Sequence, residues 1–308
     1  MEKSRKGFVP VMLMPFQNDG QIDYDSLTKL TELYLAAGAT GLFANCLSSE
    51  MFELTPEEML KTITHIIDLV AGAVPVVATG TFGGLIRQQA DFVKRVHDTG
   101  TEAVITITGL LASADQSDEY FNDQVFQLLD LTPGIPLGFY ECPVPYKRLL
   151  SPEQLRKFVE TGRVIYHKDT CLDLGQVQQK IGATAGYKFG LYDAYMGHAV
   201  DSLKAGSAGL SCIQGNFYPE LIVWLCNHYD DTSRADEVKA VEQFFVHNMH
   251  VMHDVYPIVA KYSLKQRGID ISTFTRRKVG IFSSEIKKNI EKLNLEYAQL
   301  HKSLEYAL

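Results

Sequence analysis

Short apolar runs alternate with amphipathic stretches along most of this chain. Runs rich in Val, Ile and aromatic residues, bounded by Gly, Pro or polar turns, predict strands at Phe8–Met14, Gly41–Asn45, Val74–Thr79 and Ala103–Thr108. Four more are predicted at Pro136–Glu141, Arg163–Lys168, about Tyr187–Tyr192, and Ala208–Ile213. Between them the spacing predicts helices over Ser26–Ala37, Pro56–Ala71, Ile86–Thr99, Ser117–Leu131, Pro152–Thr161, Gly175–Ile181 and Tyr195–Gly206. Two helix starts carry a hydroxyl N-cap, then proline, then Glu or Gln: Thr55-Pro56-Glu57-Glu58 and Ser151-Pro152-Glu153-Gln154.

Strands that alternate with helices in this way run parallel and are joined by right-handed crossovers. Eight such units fit a closed α/β architecture, the (β/α)8 TIM barrel, better than an open doubly wound sheet. No G-x-G-x-x-G follows the first strand, which weakens a dinucleotide-binding reading. From Asp231 onward the alternation stops, and Arg234–Val259, Lys261–Gln266 and Ser284–Leu304 read as helices. The expected organisation is a barrel over residues 1-230 and a C-terminal helical extension over 231-308.

Composition narrows the partners. The 308 residues are 46% hydrophobic and 21% charged, as in ordinary globular proteins, with a formal charge of −8. That balance disfavours nucleic acid but leaves room for an anionic metabolite in one pocket. The first apolar run is too short for a signal peptide, and no run reaches the roughly 18 apolar residues of a membrane span. Five scattered cysteines with no C-x-x-C pair disfavour a disulfide framework and point to a reducing cytoplasm.

In such barrels chemistry sits at the C-terminal ends of the strands. Val164-Ile165-Tyr166-His167-Lys168 ends in a lysine, with Val164, Tyr166 and Lys168 on one face. An ordinary lysine has a pKa near 10.4, but desolvation in a barrel mouth would lower it and free the amine to attack a carbonyl. The alternative is a lysine that snorkels to the surface. Lys188 is a rival, placed near the start of strand seven and so at the opposite end of the barrel. Tyr140 ends the adjacent strand, where a phenol can relay protons or simply pack. After strand two, Asn45-Cys46-Leu47-Ser48-Ser49-Glu50 offers hydroxyls and backbone N–H groups to a carboxylate, or is a polar turn. His247, His250 and His253 read as an exposed stripe rather than a metal site, and Cys46 and Cys142 as buried filler rather than reactive thiols.

Taken together, these positions resemble the pyruvate-dependent lyase and aldolase family that contains dihydrodipicolinate synthase and N-acetylneuraminate lyase. The resemblance covers nearly the whole chain. Met14-Pro15-Phe16 and Asp19-Gly20-Gln21-Ile22-Asp23 resemble that family's opening T-P-F and D-G-x-I-D. Asn45 to Glu50, then Leu54-Thr55-Pro56-Glu57-Glu58, resemble its G-x-T-G-E segment and the helix start that follows. Phe139-Tyr140-Glu141-Cys142-Pro143 resembles the segment of its catalytic tyrosine, and Val164 to Thr170 that of its Schiff-base lysine.

The resemblance implies that Lys168 forms an imine with pyruvate or another 2-keto acid, and that Tyr140 shuttles protons. It also implies that Ser48 and the Leu47–Ser49 turn hold the carboxylate. No metal or other cofactor is required, because the iminium is itself the electron sink. A homotetramer or homodimer is implied as well. Some positions depart from the family pattern. Leu47 replaces the first hydroxyl of the carboxylate loop and Ser49 its last glycine, so Ser48 and Ser49 carry that role. The synthases' arginine after the tyrosine segment and their tyrosine after strand four have no counterpart, since Val144-Pro145-Tyr146 and Leu110-Leu111 stand there.

Lys168-Asp169-Thr170 is similar to the sugar-acid branch. Gly190-Leu191-Tyr192-Asp193 keeps one of two acids that sialate lyases use, and Ser211 falls where the family presents groups to substrate. These expectations favour cleavage or formation of a 2-keto-3-deoxy sugar acid or sialate-like substrate. A 4-hydroxy-tetrahydrodipicolinate synthase-type condensation, a 2-keto-3-deoxy acid dehydratase and a non-catalytic keto-acid sensor are the alternatives.

Overall fold

The computed structural model describes residues 6–306, so the basic start at residues 1–5 lies outside it. Eight parallel strands form one sheet: β1 (Gly7–Phe8), β2 (Leu42–Ala44), β3 (Val76–Thr79), β4 (Ala103–Ile107), β5 (Leu137–Tyr140), β6 (Val164–Asp169), β7 (Gly190–Asp193) and β8 (Gly209–Leu210). From β2 to β8 each is hydrogen-bonded to its sequence neighbour, and β8 returns to β1. The last seam closes through a parallel bridge between Val11 and Phe43, where the Met12 N–H donates to the Phe43 carbonyl at 3.0 Å. At the β1–β8 pairing Gly7 stands opposite Gly209, and a Cβ on Gly209 would fall on the Gly7 backbone. Glycine is what lets these two strands approach.

The connecting helices are α1 (Tyr24–Ala36), α2 (Pro56–Val70), α3 (Ile86–His97), α4 (Asp118–Leu131), α5 (Pro152–Val159), α6 (Leu174–Ala183) and α7 (Ala199–Ala205). Both expected proline-led starts form capping boxes: Thr55 with Glu58 on α2, and Ser151 with Gln154 on α5. Strand alternation sorts two cores. Val9, Val11, Phe43, Ile105, Tyr140 and Tyr166 fill the barrel interior, while Phe139 points outward against Phe158 of α5. The seventh strand begins at Gly190 rather than Tyr187.

After β8 the chain forms α8 (Pro219–His228), a helix outside the sequence expectation, then α9 (Ala235–His247), α10 (Met249–His253), α11 (Ile258–Gln266) and α12 (Ser284–Tyr306). The single helix expected over Arg234–Val259 is therefore broken. Pro257 offers no N–H and clashes with a preceding helical turn, so α10 stops at His253. His247, His250 and His253 are exposed. No described helix is long and apolar enough to cross a membrane.

These late helices grip the loop after β2. Lys261 on α11 is fully buried and donates to Glu50 at 2.9 Å and to the Phe274 carbonyl at 2.7 Å. The Arg277 N–H reaches the other Glu50 oxygen at 2.9 Å, and Arg276 makes a two-pronged bond to Glu58 at 2.6 and 2.8 Å. Glu50 itself has φ +56, in the left-handed region that non-glycine residues rarely adopt, so the loop needs such restraint. Lys261→Met should leave Glu50 charged and uncompensated in the interior and cost about 3–5 kcal/mol. Urea unfolding measures this, and adding Glu50→Gln should restore part of the loss.

Candidate active site

Lys168 projects from the C-terminal end of β6 into the barrel interior, only 4% exposed. Its backbone partner on β5 is Tyr140, 3% exposed, and the Lys168 Nζ lies 4.2 Å from the centre of the Tyr140 ring. Phe43 closes the other side, with its ring centre 5.9 Å from the same nitrogen. Phe43 also packs edge-on against Tyr140 and Tyr166, and Tyr166 stacks on Tyr192.

Burial lowers the Lys168 pKa, and the groups that oppose it are three thiols, Cys46, Cys142 and Cys212, rather than a carboxylate. Burial raises the pKa of Cys142, and that of Cys212 to about 12, so both thiols stay neutral. The ring faces favour the ammonium, but desolvation is the largest effect and the net pKa is lowered, so the neutral amine gains. Burial also pushes the Tyr140 phenol well above its usual range, reinforced by Cys142, Cys46 and Tyr256. Tyr140 is therefore a protonated hydroxyl, able to donate and relay. Lys188 lines a separate cavity with Thr40, Gly41 and Pro75, at the N-terminal end of the barrel.

The loop after β2, expected to hold a carboxylate, forms a short turn at Leu47–Ser49. Its three residues have different surroundings. Leu47 is half-buried and packs on the interior core. Ser49 is committed to the fold, donating to the Met12 carbonyl at 2.6 Å and accepting from the Cys46 N–H at 3.1 Å. Ser48 faces a hydroxyl that sequence reasoning did not find: Tyr256, in the segment between α10 and α11, lies 2.8 Å from the Ser48 Oγ. Asn216 in turn donates to the Tyr256 hydroxyl at 2.6 Å, and Tyr34 donates to Asn216 at 2.5 Å. The interruption of a helical pattern by Pro257 was the one signal for this segment.

The residues expected for a sugar tail are engaged elsewhere. The Thr170 hydroxyl donates to the Glu141 carbonyl at 2.5 Å. Asp193 accepts from the Tyr195 N–H at 2.9 Å and stands 2.9 Å from His198 Nε2. Ser211 donates to the Val9 carbonyl at 2.8 Å and accepts from Tyr166 at 3.3 Å.

A second unanticipated group lies behind Lys168, on the outer face of the same strands. Lys180 of α6 is fully buried and places its Nζ 2.7 Å from both Glu141 and Asp169, the residues after Tyr140 and Lys168. The His167 Nε2 is 3.5 Å from the same two carboxylates. Glu141, His167 and Asp169 have metal-ligand character, with ligand atoms within 4.8 Å of one another. The Lys180 ammonium already bridges the two carboxylates among them. Glu141 also accepts from the backbone of Leu150 and Thr170, so the cluster ties β5, β6 and α6 into one block.

Comparison with known proteins fits this geometry. The family model described as Dihydrodipicolinate synthetase family matches residues 4–296. The chain belongs to this family. Its members are class I pyruvate-dependent lyases and synthases that act on carbon–carbon bonds. The chain is 24% identical over 269 residues to the 4-hydroxy-tetrahydrodipicolinate synthase of Marinobacter nauticus, covering 85% of this chain and 89% of that one. It is 26% identical over 220 residues to the enzyme of the same name from Pseudomonas aeruginosa, covering 71% and 74%. Among solved structures, it superposes on the prophage protein YagE of Escherichia coli in complex with pyruvate with a TM-score of 0.83, at 21% identity and over 96% and 98% of the two chains. The Acinetobacter baumannii dihydrodipicolinate synthase complexed with pyruvate gives a TM-score of 0.84, at 20% identity over 95% and 98%.

The buried cluster makes a pH prediction for this family member. Burial opposes ionisation of Glu141, but His167 and Lys180 outweigh it and hold the carboxyl below its usual value. A lowered carboxyl contributes stability above its unfolded pKa, about 4.3, and loses it as pH falls through the lower folded value. Glu141→Gln should therefore flatten the decline of the urea midpoint between about pH 5 and pH 3, relative to the wild type.

Proposed function

We propose that this protein joins pyruvate, held as a Schiff base on Lys168, to an aldehyde in a synthase-type condensation. The observation that carries the reading is a buried lysine with a lowered pKa and no carboxylate partner among the described residues, set against a protonated tyrosine. The free amine attacks the keto carbon, water leaves, and the iminium forms. Loss of a proton from C3 gives an enamine, whose carbon attacks the aldehyde. Tyr140 carries protons during imine formation and supplies one to the new alkoxide, and hydrolysis then frees the product and the amine.

Two observations favour condensation over the sugar-acid reading. The matched relatives are named as synthases, and the hydroxyls of Thr170 and Ser211 and one oxygen of Asp193 are engaged within the protein rather than free for a polyol tail. In place of the synthases' arginine, Lys147 sets an exposed ammonium at the rim, 2.8 Å from the Thr170 carbonyl, where it suits an aldehyde bearing a carboxylate. Arg148 is unsuited to that role, because Asp118 and the carbonyls of Ser113 and Gln116 occupy its guanidinium.

The test is borohydride reduction in the presence of pyruvate with intact-mass and peptide mapping. A stable adduct on Lys168 is expected, and its absence with every 2-keto acid tried would sink the reading. The trapping rate should rise with pH through a half-point below about 10.4. Tyr140→Phe should keep the fold and lose about 10²–10⁴ in turnover. Pyruvate consumption with carboxylated aldehydes, compared with pyruvate release from 2-keto-3-deoxy acids, decides between the two substrate classes.

A further inference from the structure

We infer that Tyr256, from the helical segment after the barrel, is a positioning residue for the keto acid's carboxylate and acts through Ser48. The inference rests on the Schiff-base reading above and adds to it the means by which this chain recognises a 2-keto acid in spite of its altered loop. Leu47 brings no hydroxyl, and both hydrogen-bonding sides of Ser49 are used by Met12 and Cys46. Ser48 is the hydroxyl left in the turn, and it is 3% exposed.

The hydrogen-bond chain fixes where its proton goes. Tyr34 donates to the Asn216 oxygen, and the Asn216 amide nitrogen donates to the Val11 carbonyl at 2.8 Å and to the Tyr256 oxygen at 2.6 Å. Because Asn216 donates to it, the Tyr256 hydroxyl spends its own proton on the Ser48 Oγ at 2.8 Å. Ser48 receives that bond and donates to no other group among the described residues, so its proton is the free end of the chain. Each bond in such a series polarises the next, which strengthens the last donor toward an anion.

The backbone is bent to make this arrangement. Val255, a β-branched residue, has φ +38, in the left-handed region where such residues are rare. It directly precedes Tyr256 in the break between α10 and α11. Strain of this kind persists where surrounding structure enforces it, and functional sites are where it concentrates.

The experiment compares Tyr256→Phe with the wild type by borohydride trapping on Lys168, using pyruvate and hydroxyacetone over a range of concentrations. Hydroxyacetone keeps the ketone and replaces the carboxylate with a neutral hydroxymethyl group. In Tyr256→Phe the concentration for half-maximal trapping should rise about tenfold for pyruvate and stay unchanged for hydroxyacetone. Ser48→Ala should lose the same preference, and the double variant should lose no more than Ser48→Ala alone. Unchanged pyruvate trapping in Tyr256→Phe, or an equal loss with both ketones, overturns the inference while the Schiff-base reading stands. No adduct with either ketone in the wild type overturns both.

Discussion

Among the described residues three lysines are buried, and the difference between them organises the structure. Lys180 and Lys261 are fully buried, and each is met by carboxylate oxygens at 2.7 to 2.9 Å. Lys168 is nearly as deep but is surrounded by rings and thiols. Lys180 has its pKa raised by its two carboxylates despite burial, whereas burial lowers that of Lys261, which faces the single carboxylate of Glu50, and that of Lys168, which faces none. An ammonium in an apolar enclosure is costly, and without a counter-charge the group escapes that cost by giving up its proton. The paired lysines serve as braces, and the unpaired one has no counter-charge to hold its proton, as the proposed Schiff-base role requires.

The braces hold the parts that surround Lys168. Lys180 locks the outer faces of β5 and β6, which fixes the register that sets Tyr140 beside Lys168. Lys261, Arg276 and Arg277 fasten the loop after β2 to the late helices, and Tyr256 descends from the same helices onto that loop. Helices that read in sequence as an appendage thus take part in shaping the barrel mouth.

The parts legible in sequence were those written in local periodicity. Eight short apolar runs gave the barrel, and a lysine ending one of them gave Lys168. Tyr140 followed from adjacency of successive strands. What stayed hidden depends on contacts distant in the chain. The hydroxyls of Thr170 and Ser211 and the carboxylate of Asp193 have site-like chemistry and register, yet tertiary partners engage them. Tyr256 lay inside a pattern read as one long helix, and its meeting with Ser48 spans 208 positions. The Lys180 cluster joins residues from three elements, and a lone lysine on a helix carries no mark of burial.

The cluster behind β5 and β6 has one more consequence. Two carboxylates and an imidazole gathered in the interior would ordinarily form a vacancy that invites a cation. Here the polypeptide supplies that cation as a side chain of its own, delivered when α6 folds back onto the sheet. The alignment of Lys168 and Tyr140 is therefore completed by folding itself, and does not wait on an ion captured from the surroundings.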